Sequence, residues 1–279
     1  MTLILSCETN DAVYQIADRR LTAFGSPDQI VDDQTNKIVI FDARVSFGYT
    51  GRSEICGQRT DEWLADVLQP YAGKRKLGLA VEAIRLRATH EFQKIRALDK
   101  FKFHAFQSVG WIEHSDAWRP GVITIHNGWD DAKHKWAEKP LDEFRGTIRV
   151  SRHGNFGIRL TAIGLPLHAA ERAAVVRLLR SCAHRQRGSR AIRHAMFIAM
   201  RWLMQRHPDV IGGGMMFACI PRVAAEAAQK SGTFSMSTGG PSDEQSTFEC
   251  FLSDGTPQGV GPIMVLGGAS FRGIRFGRQ

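Results

Sequence analysis

Met1-Thr2-Leu3-Ile4-Leu5-Ser6-Cys7-Glu8-Thr9-Asn10-Asp11-Ala12-Val13-Tyr14-Gln15-Ile16-Ala17-Asp18-Arg19-Arg20 is the stretch on which the fold turns. Residues 2–8 and 12–18 are apolar-rich, and Thr9-Asn10-Asp11 between them carries turn residues, so the pattern predicts a β-hairpin. Ile38 to Phe41 and Ala43 to Tyr49 repeat the pattern, with Asp42 at the turn. Ser53 to Leu68 reads as a helix capped by Ser53, its apolar positions being Ile55, Trp63, Leu64, Val67 and Leu68. Leu77 to Leu98 reads as a longer amphipathic helix with Leu79, Ile84, Leu86, Phe92 and Ile95 on its apolar side.

Further along, strands are expected at Phe103 to Glu113 and Gly121 to Asn127, then near 147–150 and 158–163 after a polar, tryptophan-bearing insert at 128–139. Helices follow at Leu167 to Cys182 and Ser189 to Gln205. Gly212-Gly213-Gly214 leads into an apolar strand, Met215 to Ile220. Beyond Pro221 come a short helix (Arg222 to Lys230), a Ser/Gly/Thr-rich loop to Ser246, and strands at 247–252 and 263–266. The order is strands, two helices, strands, two helices, strands. Segregated runs of this kind favour layered α+β over alternating βαβ units, and two sheets between two helix pairs fit it.

Composition excludes several classes. Of 279 residues 43% are hydrophobic and 23% charged, as in soluble globular chains, and no run of apolar residues is long enough to span a bilayer. The first residues lack the basic and apolar regions of a signal peptide, so a cytoplasmic location is expected. Cys7, Cys56, Cys182, Cys219 and Cys250 lie far apart without CxxC spacing, which argues for reduced thiols. Ten histidines form no HExxH or Cys/His cluster, so neither a metal site nor a cofactor is expected. The net charge of +9 concentrates at Lys74-Arg75-Lys76, between Arg185 and Arg193, and in the tail at Arg272, Arg275 and Arg278. No nucleic-acid-binding motif accompanies it, and solvated helix faces are preferred to nucleic-acid binding. Gly212-Gly213-Gly214 is not followed by GK[ST], so close backbone packing is expected there rather than a phosphate loop.

Five features carry a resemblance. Thr2 follows the initiator methionine; Ala17-Asp18-Arg19-Arg20 has the form A-D-x-R; Lys37 opens a strand. Phe47-Gly48-Tyr49-Thr50-Gly51 ends one, and Leu160 to Leu179 is a strand-glycine-helix segment. Together they resemble the proteasome β-subunit family, including its HslV-type branch, over residues 2 to about 220. Lys37 stands a few residues later than the family's lysine. The resemblance implies the four-layer αββα sandwich of the N-terminal nucleophile (Ntn) hydrolases at 1–220, with residues 221–279 as an extension packed on the same domain. It also implies a threonine-type amidohydrolase, a peptidase or an enzyme of small amides, acting through an acyl-enzyme on Thr2 after Met1 is removed. Asp18 would pair with Lys37 and keep it charged, Gly48 would offer its N–H to the oxyanion, and Asp209 resembles the family's later acidic residue. Arg20 is expected to brace the strand. Expected partners are other copies of the chain in a homo-oligomeric ring and an ATP-dependent unfoldase.

Two positions depart from the family pattern. A serine-bearing turn is replaced by Gly164-Leu165-Pro166, and a later serine by Gly212. Ser6, Thr22 or Ser46 are the candidates to supply the absent hydroxyls. Two other readings stay open: a catalytically silent, proteasome-like structural subunit, and a basic binding module centred on Arg185 to Arg193.

Overall fold

The computed structural model describes residues 2–23, 26–32, 34–74, 76–95, 102–114, 117–130, 135–151, 157–185, 188–231, 236–237, 243–258, 261–267 and 269–271. The chain runs β1 (Leu3–Glu8), β2 (Ala12–Asp18), a ribbon of β3 (Leu21–Ala23) and β4 (Ser26–Asp32), β5 (Ile38–Phe41) and β6 (Val45–Thr50). A second ribbon, β7 (Glu54–Ile55) and β8 (Gln58–Arg59), precedes α1 (Thr60–Leu68), a 3-10 turn (Gln69–Tyr71) and α2 (Leu77–Lys94). Next come β9 (Ala105–His114), β10 (Ala117–His126), a ribbon of β11 (Trp129–Asp130) and β12 (Lys135–Trp136), β13 (Arg145–Val150) and β14 (Arg159–Gly164). Then α3 (Ala169–Arg185) and α4 (Ser189–Arg206) lead to β15 (Met215–Pro221), α5 (Arg222–Ser231), β16 (Met236–Ser237), β17 (Ser246–Phe251), β18 (Pro257–Gln258), β19 (Ile263–Leu266) and β20 (Ala269–Phe271).

Two mixed sheets organise these elements. The first has the order β14-β1-β2-β15-β17-β16, with β18 paired to β17; the second has the order β13-β10-β9-β6-β5-β19-β20. Pairing is antiparallel except between β16 and β17 and between β5 and β19. Strands from beyond Pro221 therefore enter both sheets.

Burial explains why the first strands read as continuous apolar runs rather than as alternation. All six residues of β1 are buried. Leu3, Leu5 and Cys7 pack with residues of α3 and α4, including Leu179, Met196 and Leu203. Ile4 points the other way, into a cluster with Ile38, Ile40 and Val109 of the second sheet. A third cluster joins Phe47, Tyr49 and Phe106 to Trp63, Leu64, Ile84 and Phe92 of α1 and α2. Residues of α3 and α4 thus share a cluster with the first sheet, residues of α1 and α2 share one with the second, and a further cluster joins residues of both sheets.

Ser6, Gln15, Ser46 and Gln107 between the sheets are linked to one another, although Gln107 Nε2 has no partner among the described residues. Ser6 Oγ donates to Gln107 Oε1 (2.7 Å), Gln15 Nε2 donates to Ser6 Oγ (3.1 Å), and Ser46 Oγ donates to Gln15 Oε1 (2.6 Å). A buried amide left unbonded costs on the order of 1–3 kcal/mol, so this set pins the two sheets in one register.

Two expectations from the sequence are corrected. The helix expected from Ser53 begins at Thr60. Cys56 and Gly57 both have positive φ (50° and 81°), the backbone of a tight hairpin turn, and this diverts residues 54–59 into a ribbon. On α2 the buried stripe is Leu77, Ala80, Val81, Ile84, Ala88 and Phe92, whereas Leu79 and Leu86 are 52% and 53% exposed. The helix is rotated from the expected face because alanines let it sit close to its neighbours. It ends at Lys94, and Ile95 is extended; the remainder expected to Leu98 lies outside the described residues.

Candidate active site

Antiparallel pairing brings distant residues to one end of the first sheet. Leu3 at the start of β1 faces Gly164 at the end of β14, while Asp18 at the end of β2 faces Met215 at the start of β15. Lys37 comes from the other sheet, immediately before β5. Its backbone N–H donates to Met216 Sδ at 3.1 Å, which ties the two sheets together at that point. Thr2, Asp18 and Lys37 therefore converge although 16 and 19 residues separate successive members.

The Lys37 ammonium donates to Thr2 Oγ1 and to the Arg20 carbonyl. Lys37 is 1% exposed and Thr2 4%. Asp18 is fully buried, and its two oxygens accept from the backbone N–H groups of Leu3 (2.7 Å) and Gly212 (3.2 Å). Burial pushes its carboxyl above the usual carboxylate range, opposed by the Lys37 charge and by the N–H groups of Leu3, Gly212 and Arg20. Asp18 thus acts on Lys37 through its charge and on Thr2 through the Leu3 N–H that follows it.

The turn after β14 grips Thr2 by its main chain. Leu165 N–H donates to the Thr2 carbonyl at 3.1 Å. Gly164 has φ +90°, and a Cβ there would lie 1.7 Å from that carbonyl oxygen, so only glycine is accommodated. Opposite it, the Thr50 hydroxyl lies 3.0 Å from the same Cβ position.

Gly48 sits within β6 opposite Ile38, next to Lys37 in the chain. A Cβ at Gly48 would stand 2.8 Å from Ile4 Cδ1 and 3.3 Å from Gln15 Oε1, so its absence lets β6 settle on β1 and β2. Asp209 is apart from this group: it is exposed in the turn after α4. The turn itself is anchored nearby, since Arg20 Nη1 donates to the Pro208 carbonyl at 2.7 Å. Ser6 and Ser46 are held in the network between the sheets, and the Thr22 side chain lies outside the described residues. Tyr49 donates its hydroxyl to the Asn36 carbonyl (2.9 Å) and is buried toward the helices.

Sequence reasoning missed the backbone donors. Gly212, read as a packing glycine, also supplies an N–H to Asp18. Gly213 is a packing glycine, its Cβ position lying 2.5 Å from Ser253 Cβ, and the Gly214 carbonyl accepts from Arg19 N–H at 2.9 Å. The signal was three glycines in a row just before a buried strand.

Other titratable groups serve the frame. Cys7 and Cys219 are buried thiols whose pKa burial raises, Cys219 to about 12 and Cys7 still further, which makes both poor nucleophiles. Glu171 joins Arg206 (2.9 Å) and His207 (2.9 Å) at the junction of α3 and α4. Burial favours its neutral form, but these donors and the His168 N–H hold it at about 2. Among the described residues no group of three or more His, Cys, Asp or Glu is placed to hold a metal ion, and no helix is long and apolar enough to cross a membrane.

No protein-family model and no curated protein matches the chain by sequence. Among solved structures the chain is similar to a Gly-1 mutant of Anbu from Hyphomicrobium sp. strain MC1. The identity is 12% and the TM-score 0.45, over 78% of this chain and 80% of that one.

Proposed function

We propose that the chain is a threonine-type amidohydrolase, a peptidase of the Ntn class, in which Thr2 becomes the nucleophile once Met1 is removed. The observation that carries the reading is the buried Lys37 ammonium donating to Thr2 Oγ1, in a site where Asp18 balances its charge. A lysine in that position acts as a donor and a charge, so it lowers the cost of forming the alkoxide rather than removing the proton itself.

The reaction follows from these roles. Thr2 Oγ attacks the amide carbon, and its proton passes to the freed α-amine of Thr2, whose unperturbed pKa of roughly 7.7–8.0 suits it as a base near neutral pH. The oxyanion is met by the Gly48 N–H. The C–N bond breaks, the ammonium returns its proton to the leaving amine, and an ester on Thr2 remains. Water, activated by the same amine, hydrolyses the ester and restores the hydroxyl. Asp209, exposed in the turn after α4, is the later acidic residue of the same reading. The finer fold reading, a four-layer αββα sandwich at 1–220 with residues 221–279 as an extension packed on the same domain, is supported by the clusters that join each helix pair to one sheet and by the pairing of β17 in the first sheet and β19 in the second. Ring assembly and an ATP-driven unfoldase belong to the same reading.

One observation favours the rival, a silent structural subunit: Thr2 is almost fully covered. Intact-mass and N-terminal peptide analysis, with and without a threonine-directed β-lactone, separates the two. Loss of Met1 with an adduct on Thr2, absent in Lys37→Ala, supports the hydrolase; retained Met1, or a free Thr2 that never labels, refutes it.

A further inference from the structure

The segment of the helix pair α3–α4 is strongly one-sided in charge. Between Ala169 and Arg206 there are nine arginines, no lysine and a single carboxylate, Glu171. That carboxylate is buried and already shared by Arg206 and His207. The apolar residues of both helices point at the first sheet. Arg177, Arg180 and His184 on α3, and Arg190, His194 and Arg201 on α4, are exposed. They recur at helical spacing, so each set follows the solvent side of its helix. Among the described residues, none of Arg177, Arg180, Arg190 and Arg201 is hydrogen-bonded or ion-paired to another group. Three neighbouring carboxylates are engaged by other groups: Glu249 by Arg193, Asp243 by the Ser189 N–H, and Asp254, beside the Gly255 that Arg201 approaches, by the Thr256 N–H.

From this we infer that the outer face of α3–α4 binds the phosphate backbone of nucleic acid without sequence preference. Sequence alone favoured solvated faces; the fold changes the weighing by gathering four unpaired guanidiniums on the outer side of two helices whose one carboxylate, Glu171, is buried. Guanidinium matches phosphate bidentately, and the face carries arginine to the exclusion of lysine. Pairing of this face with the same face of a second copy would set like charges against each other. A membrane surface is a poor fit, since Ile198, 40% exposed, is the large apolar side chain the face presents and an interfacial helix needs a whole apolar side. This inference is independent of the chemistry at Thr2.

The test is fluorescence anisotropy of a labelled 20-base-pair duplex with the full chain between 50 and 200 mM salt. Four phosphate contacts give a log–log slope of about −3.6, a loss of roughly 150-fold over that range. In Arg177→Gln/Arg180→Gln the slope should halve, while the thermal melt stays unchanged because both residues are exposed. The mirror pair Arg190→Gln/Arg201→Gln should do the same. Duplexes of unrelated sequence should bind alike. The inference is overturned by absence of binding at 50 mM salt, by a slope that neither pair alters, by equal competition from poly-glutamate, or by retention on phosphatidylserine vesicles without duplex binding.

Discussion

Replacing Gly164 by alanine tests the grip on Thr2 most directly. Two costs add at this position. An L-residue at positive φ costs about 1 kcal/mol, and the new methyl collides with the Thr2 carbonyl, its Cβ falling 1.7 Å from that oxygen. Because the contact is with backbone, it is relieved by moving Thr2 away, which also breaks the Leu165 N–H bond, worth about 1 kcal/mol. Gly57 provides the matched control: its φ of +81° is close to the +90° of Gly164, but a Cβ there meets nothing within 4 Å. Urea denaturation should therefore show a loss of about 1 kcal/mol for Gly57→Ala and about 2–4 kcal/mol for Gly164→Ala, with unchanged m-values. Lactone labelling of Thr2 should fall only in Gly164→Ala. Equal losses in the two variants would mean that Gly164 does not rest on the Thr2 carbonyl, and the grip assigned to that turn would be wrong.

Three further outcomes follow from buried charge. Lys37→Met and Asp18→Asn should each destabilise the protein, and the double variant should lose less than their sum, with a coupling of about 1–3 kcal/mol measured in a denaturation cycle. Because burial raises the Asp18 pKa, its ionised form is disfavoured in the folded state, and the acid limb of Thr2 labelling should lie above the ordinary aspartate value of 3.8; in Lys37→Met, which should not label, the Asp18 carboxyl followed by NMR should titrate higher again. His104 is held neutral, its pKa lowered to about 3 by burial and by Arg52. The unfolded chain takes up that proton below about 6.5 while the folded chain does not, so stability should fall by about 2 kcal/mol between pH 7 and pH 5. His104→Gln should flatten that dependence.

The first hairpin was legible because Thr9-Asn10-Asp11 interrupts two apolar runs and Thr9 closes the turn, its N–H donating to the Ala12 carbonyl at 3.0 Å. The start of α1 was not. A cysteine at positive φ carries no turn signature, so Cys56-Gly57 was absorbed into a helical pattern. On α2, Leu79 and Leu86 compete with Leu77, Val81 and Ile84 as an apolar stripe, and only the small alanines between the latter decide the rotation. At the site, the side chains of Thr2, Asp18 and Lys37 could be named because a motif spaces them. The N–H groups of Leu3, Leu165 and Gly212 could not, since every residue but proline has one and only the fold aims it.

Thr2 is covered on folding, and β1 lies between β2 and β14. The ribosome makes β1 first and β14 only about 160 residues later, which at 5–20 residues per second is roughly ten to thirty seconds. For the hydrolase reading, methionine aminopeptidase has that interval in which to meet an open terminus; afterwards Thr2, the residue it must release, is covered. Maturation would then be timed by translation. A tag fused ahead of Met1 would leave a chain that folds and never acquires its nucleophile.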